Sequence, residues 1–394
     1  MPFRLTRRGF LGSTALLAAL SRAAGAEEST IQGFDETSSN TDAGAVWSPI
    51  SDRKIRVGIA GYGVCKFGAA FGFQHHPNVE VAAVSDLFPD RCAELARICR
   101  CETTYSSMEE MLTDDSLEAV FVATDAPSHA RLCIAALERG KHVASAVPAV
   151  WGSMEDAEAL YDAVKRSGRK YMMFETTAFR DDCYAMRKLY QAGVFGKLVY
   201  AEGEYYHLML EPIDSYQGWR VGLPPQWYPT HSNGYFSCVT GGRFTEVSCV
   251  GVPSIVGHLR PENNTYVNPF GTEVAQLKTT DGTARMVVSW DTPGFGGEVG
   301  RVRGQQGSMQ GITFEGLTEF DPALLKKPPL PPGVEGGGHG GSHGYLCDEF
   351  VSAILEDRQP LVDIGLALNM TAAGILAHES AGEGGEWLKV PQWT

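Results

Sequence analysis

A strand that runs straight into a glycine turn and then a helix constrains this chain more than any other feature. Lys54–Ala60 (Lys-Ile-Arg-Val-Gly-Ile-Ala) is an apolar run of strand length. Gly61-Tyr62-Gly63 follows, and helical spacing continues to about Gln74. Strand, glycine turn and helix N-terminus together form a backbone cradle for a pyrophosphate, because glycines permit the tight turn and the close approach of phosphate to helical N–H groups. The fingerprint's third glycine falls at position 66, where this chain has Lys66. The flanking pattern supplies the missing weight. A second apolar strand, Val79–Ser85, ends in Asp86, at the distance where an acid bonds a ribose 2′-hydroxyl and favours NAD over NADP.

The alternation persists. Pro89 opens a helix with Cys92, Leu95, Ala96 and Cys99 on one face. A strand at Leu117–Ala123, a helix at Pro127–Glu138 stopped by Gly140, and a strand at His142–Ser145 follow. Ser153 caps the next helix, Ala157, Leu160, Tyr161 and Val164 form its inner face, and Gly168 ends it before a strand at Tyr171–Phe174. Strands alternating with helices predict a parallel sheet, hence an NAD-binding Rossmann domain over 54–177. Beyond it the pattern changes to a helix at Asp181–Gln191, a long aromatic strand at Lys197–His207, and strand-like runs near Arg243–Val250, Glu273–Thr279, Ala284–Trp290 and Ser308–Thr313. Helices at Tyr345–Ile354 and Ile364–Ser380 close the chain. The predicted class is α/β: a Rossmann domain plus a substrate-binding and oligomerisation domain, 178–394, built on an open, mostly antiparallel sheet.

Residues 1–26 have the layout of a twin-arginine signal. Thr6-Arg7-Arg8-Gly9-Phe10-Leu11 precedes a short apolar run, Ala15–Leu20, and the small-residue site Ala24-Gly25-Ala26. The run is too short to span a bilayer, and no membrane partner is expected after cleavage. A Sec signal with a chance arginine pair is the alternative. Residues 27–53 read as a polar, extended arm. Localisation is therefore expected to be periplasmic or otherwise exported. A net charge of −14 and a pI near 5.2 argue against a nucleic-acid partner. The twin-arginine route carries folded proteins, so a bound cofactor travels along, with no external pool to exchange with. That favours a redox-neutral cycle on one trapped NAD. The nine cysteines read mostly as buried small apolar residues, since folding precedes export from a reducing compartment.

Two stretches carry a family resemblance. Thr124-Asp125-Ala126-Pro127-Ser128-His129 and Gly140-Lys141-His142-Val143-Ala144-Ser145-Ala146-Val147-Pro148-Ala149 resemble the Gfo/Idh/MocA oxidoreductases over nearly all of 54–393. That resemblance implies cofactor contacts at Gly61, Gly63, Val64, Cys65, Asp86, Thr124, His129, Val147 and Pro148. It also implies pairing of subunits through the open sheet, hence a homo-oligomer. Family members usually carry Glu-Lys-Pro where this chain has Ala146-Val147-Pro148, and their lysine meets the reacting hydroxyl. Val147 can do neither acid–base nor hydrogen-bond work.

A third set, Gly203-Glu204-Tyr205-Tyr206-His207, Trp219-Arg220 and Trp227-Tyr228-Pro229-Thr230-His231, is similar to the NAD-dependent α-N-acetylgalactosaminidases and their exported relatives, which also lack the lysine. The resemblance implies transient sugar oxidation, elimination, water addition and re-reduction, with a sugar or glycoside as substrate. Tyr228 and His231 fall in a Pro-bearing segment read as a loop, and Tyr205 and His207 alternate on one face of a strand. With Arg220 they are the candidate catalytic set, His supplying acid or base near neutral pH. A net sugar oxidoreductase, or a sugar-binding protein that merely keeps NAD, are the alternatives. Gly336–Tyr345 reads as a flexible loop, either a mobile surface segment or a lid. Its His339 and His343 match no zinc spacing, so no metal is expected.

Overall fold

Parallel strands buried on both faces form the first sheet of the computed structural model, which describes residues 46–393. Its strands are β1 (Ile55–Ala60), β2 (Val79–Ser85), β3 (Thr104–Tyr105), β4 (Ala119–Val122), β5 (His142–Ser145) and β6 (Tyr171–Met173). They lie in the order β3-β2-β1-β4-β5-β6, every pair parallel. Helices α1 (Phe67–Ala70), α2 (Pro89–Cys99), α3 (Met108–Met111), α4 (His129–Glu138) and α5 (Met154–Ser167) accompany them. Ile55, Val57, Ile59, Val120, Phe121 and Val122 are fully buried, as a sheet covered on both faces requires. The cap read from sequence is present: Asp156 N–H donates to Ser153 Oγ at 3.0 Å, and Gly168 ends α5 at φ 64°. The first helix is shorter than expected. Gly72 at φ 79° breaks it, and a 3₁₀ turn, Phe73–His75, replaces its last turn. Strand β3 and helix α3 are too short to show a period.

The order reverses between β1 and β4, and that switch point opens the crevice in a doubly wound sheet. Gly61 makes it possible. Its φ is 101°, and a Cβ there would sit 2.4 Å from the Ala123 carbonyl oxygen, so the loops after β1 and β4 touch backbone to backbone.

The second sheet contains β7 (Leu198–Tyr206), β8 (Phe244–Pro253), β9 (Phe270–Thr279), β10 (Thr283–Ser289), β11 (Gly297–Gly304), β12 (Gly307–Gln310), β13 (Thr313–Gly316) and β14 (Leu388–Lys389). The order is β13-β12-β11-β7-β10-β9-β8-β14, antiparallel except for β7 with β10. β11 escaped the sequence reading because its Gly-Glu-Val-Gly-Arg-Val-Arg-Gly hides the apolar period. Helices α6 (Asp181–Gln191), α7 (Thr230–Thr240) and α10 (Ile364–Gly382) cover one face. The other face is open. It carries Val250 and Val299 beside an ion-pair network in which Glu202 takes both Arg285 and Arg301.

Two expectations change. His231 is not in a loop; it lies in the first turn of α7, a helix of small polar and aromatic residues that is buried all round and so shows no amphipathic period. The Gly-rich stretch is neither a lid nor a mobile surface loop. It forms a short turn, α8 (Gly338–Gly341), leading into α9 (His343–Leu355), with His339, Ser342 and His343 buried. The buried Lys327 ammonium fixes it, bonding the carbonyls of Phe179 (3.0 Å) and Gly341 (3.4 Å) and pairing with Asp181. All nine cysteines are free and all but Cys65 buried, as expected. The signal, residues 1–26, and the arm up to residue 45 lie outside the described residues. Among the described residues no helix is long and apolar enough to cross a membrane.

Candidate active site

A cleft of about 1220 Å³, open to solvent, follows the switch point. The ends of β1, β2, β4 and β5 form one side; the segment around Trp219 and Arg220, with Tyr228, forms the other. Gly61, Gly63, Val64, Cys65, Asp86, Thr124, His129 and Val147 all line it. Pro148 stands behind, its carbonyl 2.8 Å from His129 Nδ1. Burial keeps His129 neutral, and its ring ties the Thr124 loop to Pro148. A Cβ on Gly63 would meet nothing within 4 Å, so the glycine-loop backbone faces open space. Asp86 accepts from Tyr62 N–H at 2.6 Å and Phe88 N–H at 2.9 Å, which holds its carboxylate at the cleft edge. Lys66 takes the left-handed conformation, φ 52°, at the N-cap of α1, the place of the missing glycine. At the far end Arg91, which the sequence reading missed, lies over the Phe88 ring at 4.5 Å. A bare glycine backbone, a fixed acid and a cation–aromatic wall in one continuous cleft fit a dinucleotide.

At the opposite end Tyr228 and Arg220 line the cleft, and the remaining candidates lie directly behind. Ring centroids of Tyr228 and His231 are 5.5 Å apart, of Tyr205 and His231 4.8 Å, and of Tyr205 and His207 6.0 Å. The structure thus gathers Tyr205, His207, Tyr228 and His231. Arg220 reaches toward the glycine loop instead: its guanidinium stacks on Trp219 at 4.2 Å, with Nη2 4.0 Å from Cys65 Sγ. Gly203 sets the depth of this end. A Cβ there would lie 2.0 Å from the Ser232 carbonyl oxygen, so β7 and α7 pack backbone on backbone.

Sequence reasoning missed two carboxylates. Glu175, just past β6 and fully buried, accepts from His231 Nδ1 at 2.9 Å and from Thr177 N–H at 2.9 Å. Glu298, opposite Tyr205 across β7 and β11, lies 3.9 Å from His231 Nδ1 and accepts from Thr177 Oγ1 at 2.7 Å. An acid at the C-terminal end of a parallel strand was a legible signal for Glu175. Nothing marked Glu298, because its strand was unread.

These groups set opposite protonation states. Burial pushes the His231 imidazolium down, but Glu175 and Glu298 together outweigh it and raise its pKa to about 9. Burial pushes Glu175 up, yet the charge of His231 and its hydrogen bonds hold it below the usual carboxylate range. His231 is therefore a cation at neutral pH. His207 is the converse. Burial, then the charges of Arg220 and His231, lower it to about 4, and its Nδ1 is buried with no hydrogen-bond partner. Burial raises both phenols, Tyr205 and Tyr228, so they remain protonated donors. His339 stacks on His231 at 6.1 Å, and its Nδ1 meets His343 Nε2 at 2.9 Å. Among the described residues no three His, Cys, Asp or Glu side chains are grouped to hold a metal ion.

Residues 55–175 match the model of the oxidoreductase family GFO_IDH_MocA, with its NAD-binding Rossmann fold. The chain is 24% identical over 389 residues to a glycosyl hydrolase family 109 protein of Streptomyces niveus, covering 86% of this chain and 77% of that one. It is 26% identical over 371 residues to glycosyl hydrolase family 109 protein 4 of Phocaeicola vulgatus, covering 84% and 68%. Among solved structures, levoglucosan dehydrogenase with NADH and levoglucosan superposes with a TM-score of 0.68 at 19% identity, covering 86% of this chain and 100% of that one. An aldose-aldose oxidoreductase from Caulobacter crescentus gives 0.66 at 18% identity, covering 86% and 99%. These two establish the shared fold. Residues 55–175 are thus a Rossmann domain of the Gfo/Idh/MocA oxidoreductase type, and the protein is an enzyme that uses NAD.

Proposed function

We propose that this protein is an exported glycosidase that keeps one NAD and returns it unchanged after each turnover. The observation that carries the proposal is the buried His231–Glu175 pair directly behind Tyr228, which lines a cleft whose usual lysine position is Val147. The glycosyl hydrolase family 109 relatives support the glycoside reading, and the twin-arginine layout of residues 1–26 supports export. Paired subunits on the open sheet face are part of the proposal, supported by exposed Val250 and Val299 there.

NAD would be held by the glycine-loop backbone at Gly61 and Gly63, by Asp86 at a ribose and by Val147 and Pro148 near the reacting end; when bound it supplies reversible hydride uptake from a sugar carbon. The protein's own groups handle protons. His231, charged and fixed by Glu175, donates to a departing glycosidic oxygen. Neutral His207, with its free nitrogen, accepts the proton from the carbon made acidic by the neighbouring ketone. Tyr228 and Tyr205 stay protonated and donate hydrogen bonds to the developing oxyanion. Arg220 spans the glycine loop and this proton-handling end.

The test uses protein purified without added nucleotide. Released nucleotide after denaturation should be NAD(H), and a panel of aryl glycosides in deuterated water should give free aglycone and carbon-bound deuterium with no net nicotinamide absorbance change. Accumulating NADH with oxidised sugar would replace this reading with a net sugar oxidoreductase. Bound NAD without any turnover would leave a sugar-binding protein.

A further inference from the structure

We infer that a second groove, outside the cleft, holds the leaving-group side of a neutral oligosaccharide, so that the preferred substrates extend past the cleaved sugar. This inference rests on the glycosidase reading above. The groove is a shallow, solvent-open depression of about 1080 Å³, counting the solvent above it, and shares Asp125, Tyr216 and Trp219 with the cleft. A ligand leaving the cleft past Trp219 therefore enters it directly.

The lining chemistry selects the ligand class. Tyr216 and Tyr266 present aromatic surface beside the buried Trp219, and Asp125, Glu262 and Thr265 present oxygen atoms. No Lys, Arg or His is among the described lining residues, which disfavours phosphate and carboxylate ligands. Aromatic faces that take C–H surfaces, beside acceptors that take hydroxyl protons, match an uncharged polyol.

The groove is also preformed. Its two walls, the segments around Trp219 and Tyr266, are bonded to each other. Tyr266 OH donates to the Trp219 carbonyl at 2.7 Å, and Asn268 Nδ2 donates to the Gly222 carbonyl at 3.2 Å. Asn264 packs so closely on Gly222 that a Cβ there would lie 2.0 Å from it. Gln217 holds a left-handed φ of 52° at the rim, where its amide donates to Tyr216 OH at 3.1 Å and orients that ring. A rigid wall costs little ordering on binding.

The experiment is calorimetric titration of the NAD-loaded protein with two matched pairs: N-acetylgalactosamine against a trisaccharide ending in α-linked N-acetylgalactosamine, and glucose against maltotriose. In at least one pair the trisaccharide should bind about tenfold or more tighter than its monosaccharide. In Tyr216→Ala and in Glu262→Gln that ratio should fall toward one. Tyr228→Phe should keep the ratio while losing cleavage. Equal affinities within both pairs, no binding of any probe, or an undiminished ratio in both groove variants would overturn the subsite. A preserved ratio in a protein that cleaves no glycoside would overturn the glycosidase reading and leave the groove standing as a sugar site.

Discussion

Glu175 Oε1 lies 2.9 Å from His231 Nδ1, with both side chains buried, and this pair decides the charge at the reacting end of the cleft. Neither position is explained by its own element. Glu175 leaves the Rossmann sheet at the end of β6, and His231 enters from the first turn of α7 over the second sheet.

The pair predicts a specific pH dependence. His231 is raised from 6.5 to about 9, so activity that needs its proton should decline as pH rises through about 9. Its stabilising contribution is full below 6.5 and is lost on the same rise; that of Glu175, lowered from 4.5, is lost as pH falls below 4.5. Glu175→Gln should move the alkaline limb of kcat/KM to lower pH, because the nearest counter-charge is gone. An alkaline limb unmoved in that variant would assign it to another group.

His231→Ala should reduce turnover about 10²–10⁴-fold, the usual contribution of a general acid. It should also destabilise the fold by about 3–5 kcal/mol, because it strands a buried carboxylate. Adding Glu175→Gln should restore much of the stability and none of the activity. Denaturant unfolding beside a turnover assay checks both; equal stability of the single and double variants would mean the carboxylate is not stranded.

Gly203→Ala tests the depth of the site without changing a polar side chain. The new methyl would meet the Ser232 carbonyl oxygen, forcing β7 from α7 at a cost of about 1–3 kcal/mol. Turnover should fall more than NAD retention, since Tyr205 and His231 separate while the glycine loop is untouched. Loss of NAD in step with activity would show that the two ends of the cleft are mechanically joined.

Val147→Lys restores the residue common in the family, and it should not improve the enzyme. Val147 is 6% exposed, and an ammonium placed there would be largely desolvated beside Ala146. A lower melting temperature or weaker NAD retention is expected. Ordinary sugar dehydrogenase activity at unchanged stability would show that the site is a lightly altered dehydrogenase.

The sequence by itself determined most of the Rossmann half, missing only the short β3 and α3 and overrunning α1. Its strands are short apolar runs bounded by glycine, proline and caps, and such signals act within one turn of chain: Ser153 with Asp156, Gly168 at φ 64°, the helix starting at Pro89. It also marked Tyr205, His207, Tyr228 and His231, through motifs that resemble the NAD-dependent α-N-acetylgalactosaminidases and, for Tyr205 and His207, through alternation on one strand.

Only the tertiary structure decided what those residues are. The partner of His231 is 56 positions away in sequence, and Glu298 sits on a strand that glycine and arginine disguise. Charge state depends on burial and on the distance to a counter-charge, and neither exists until β6, α7 and β11 are assembled. The same holds for the glycine-rich segment at 336–344. Locally it has the composition of a flexible loop, but Lys327, Asp181 and the ring of His231 enclose it, and packing overrides the freedom its glycines would otherwise have.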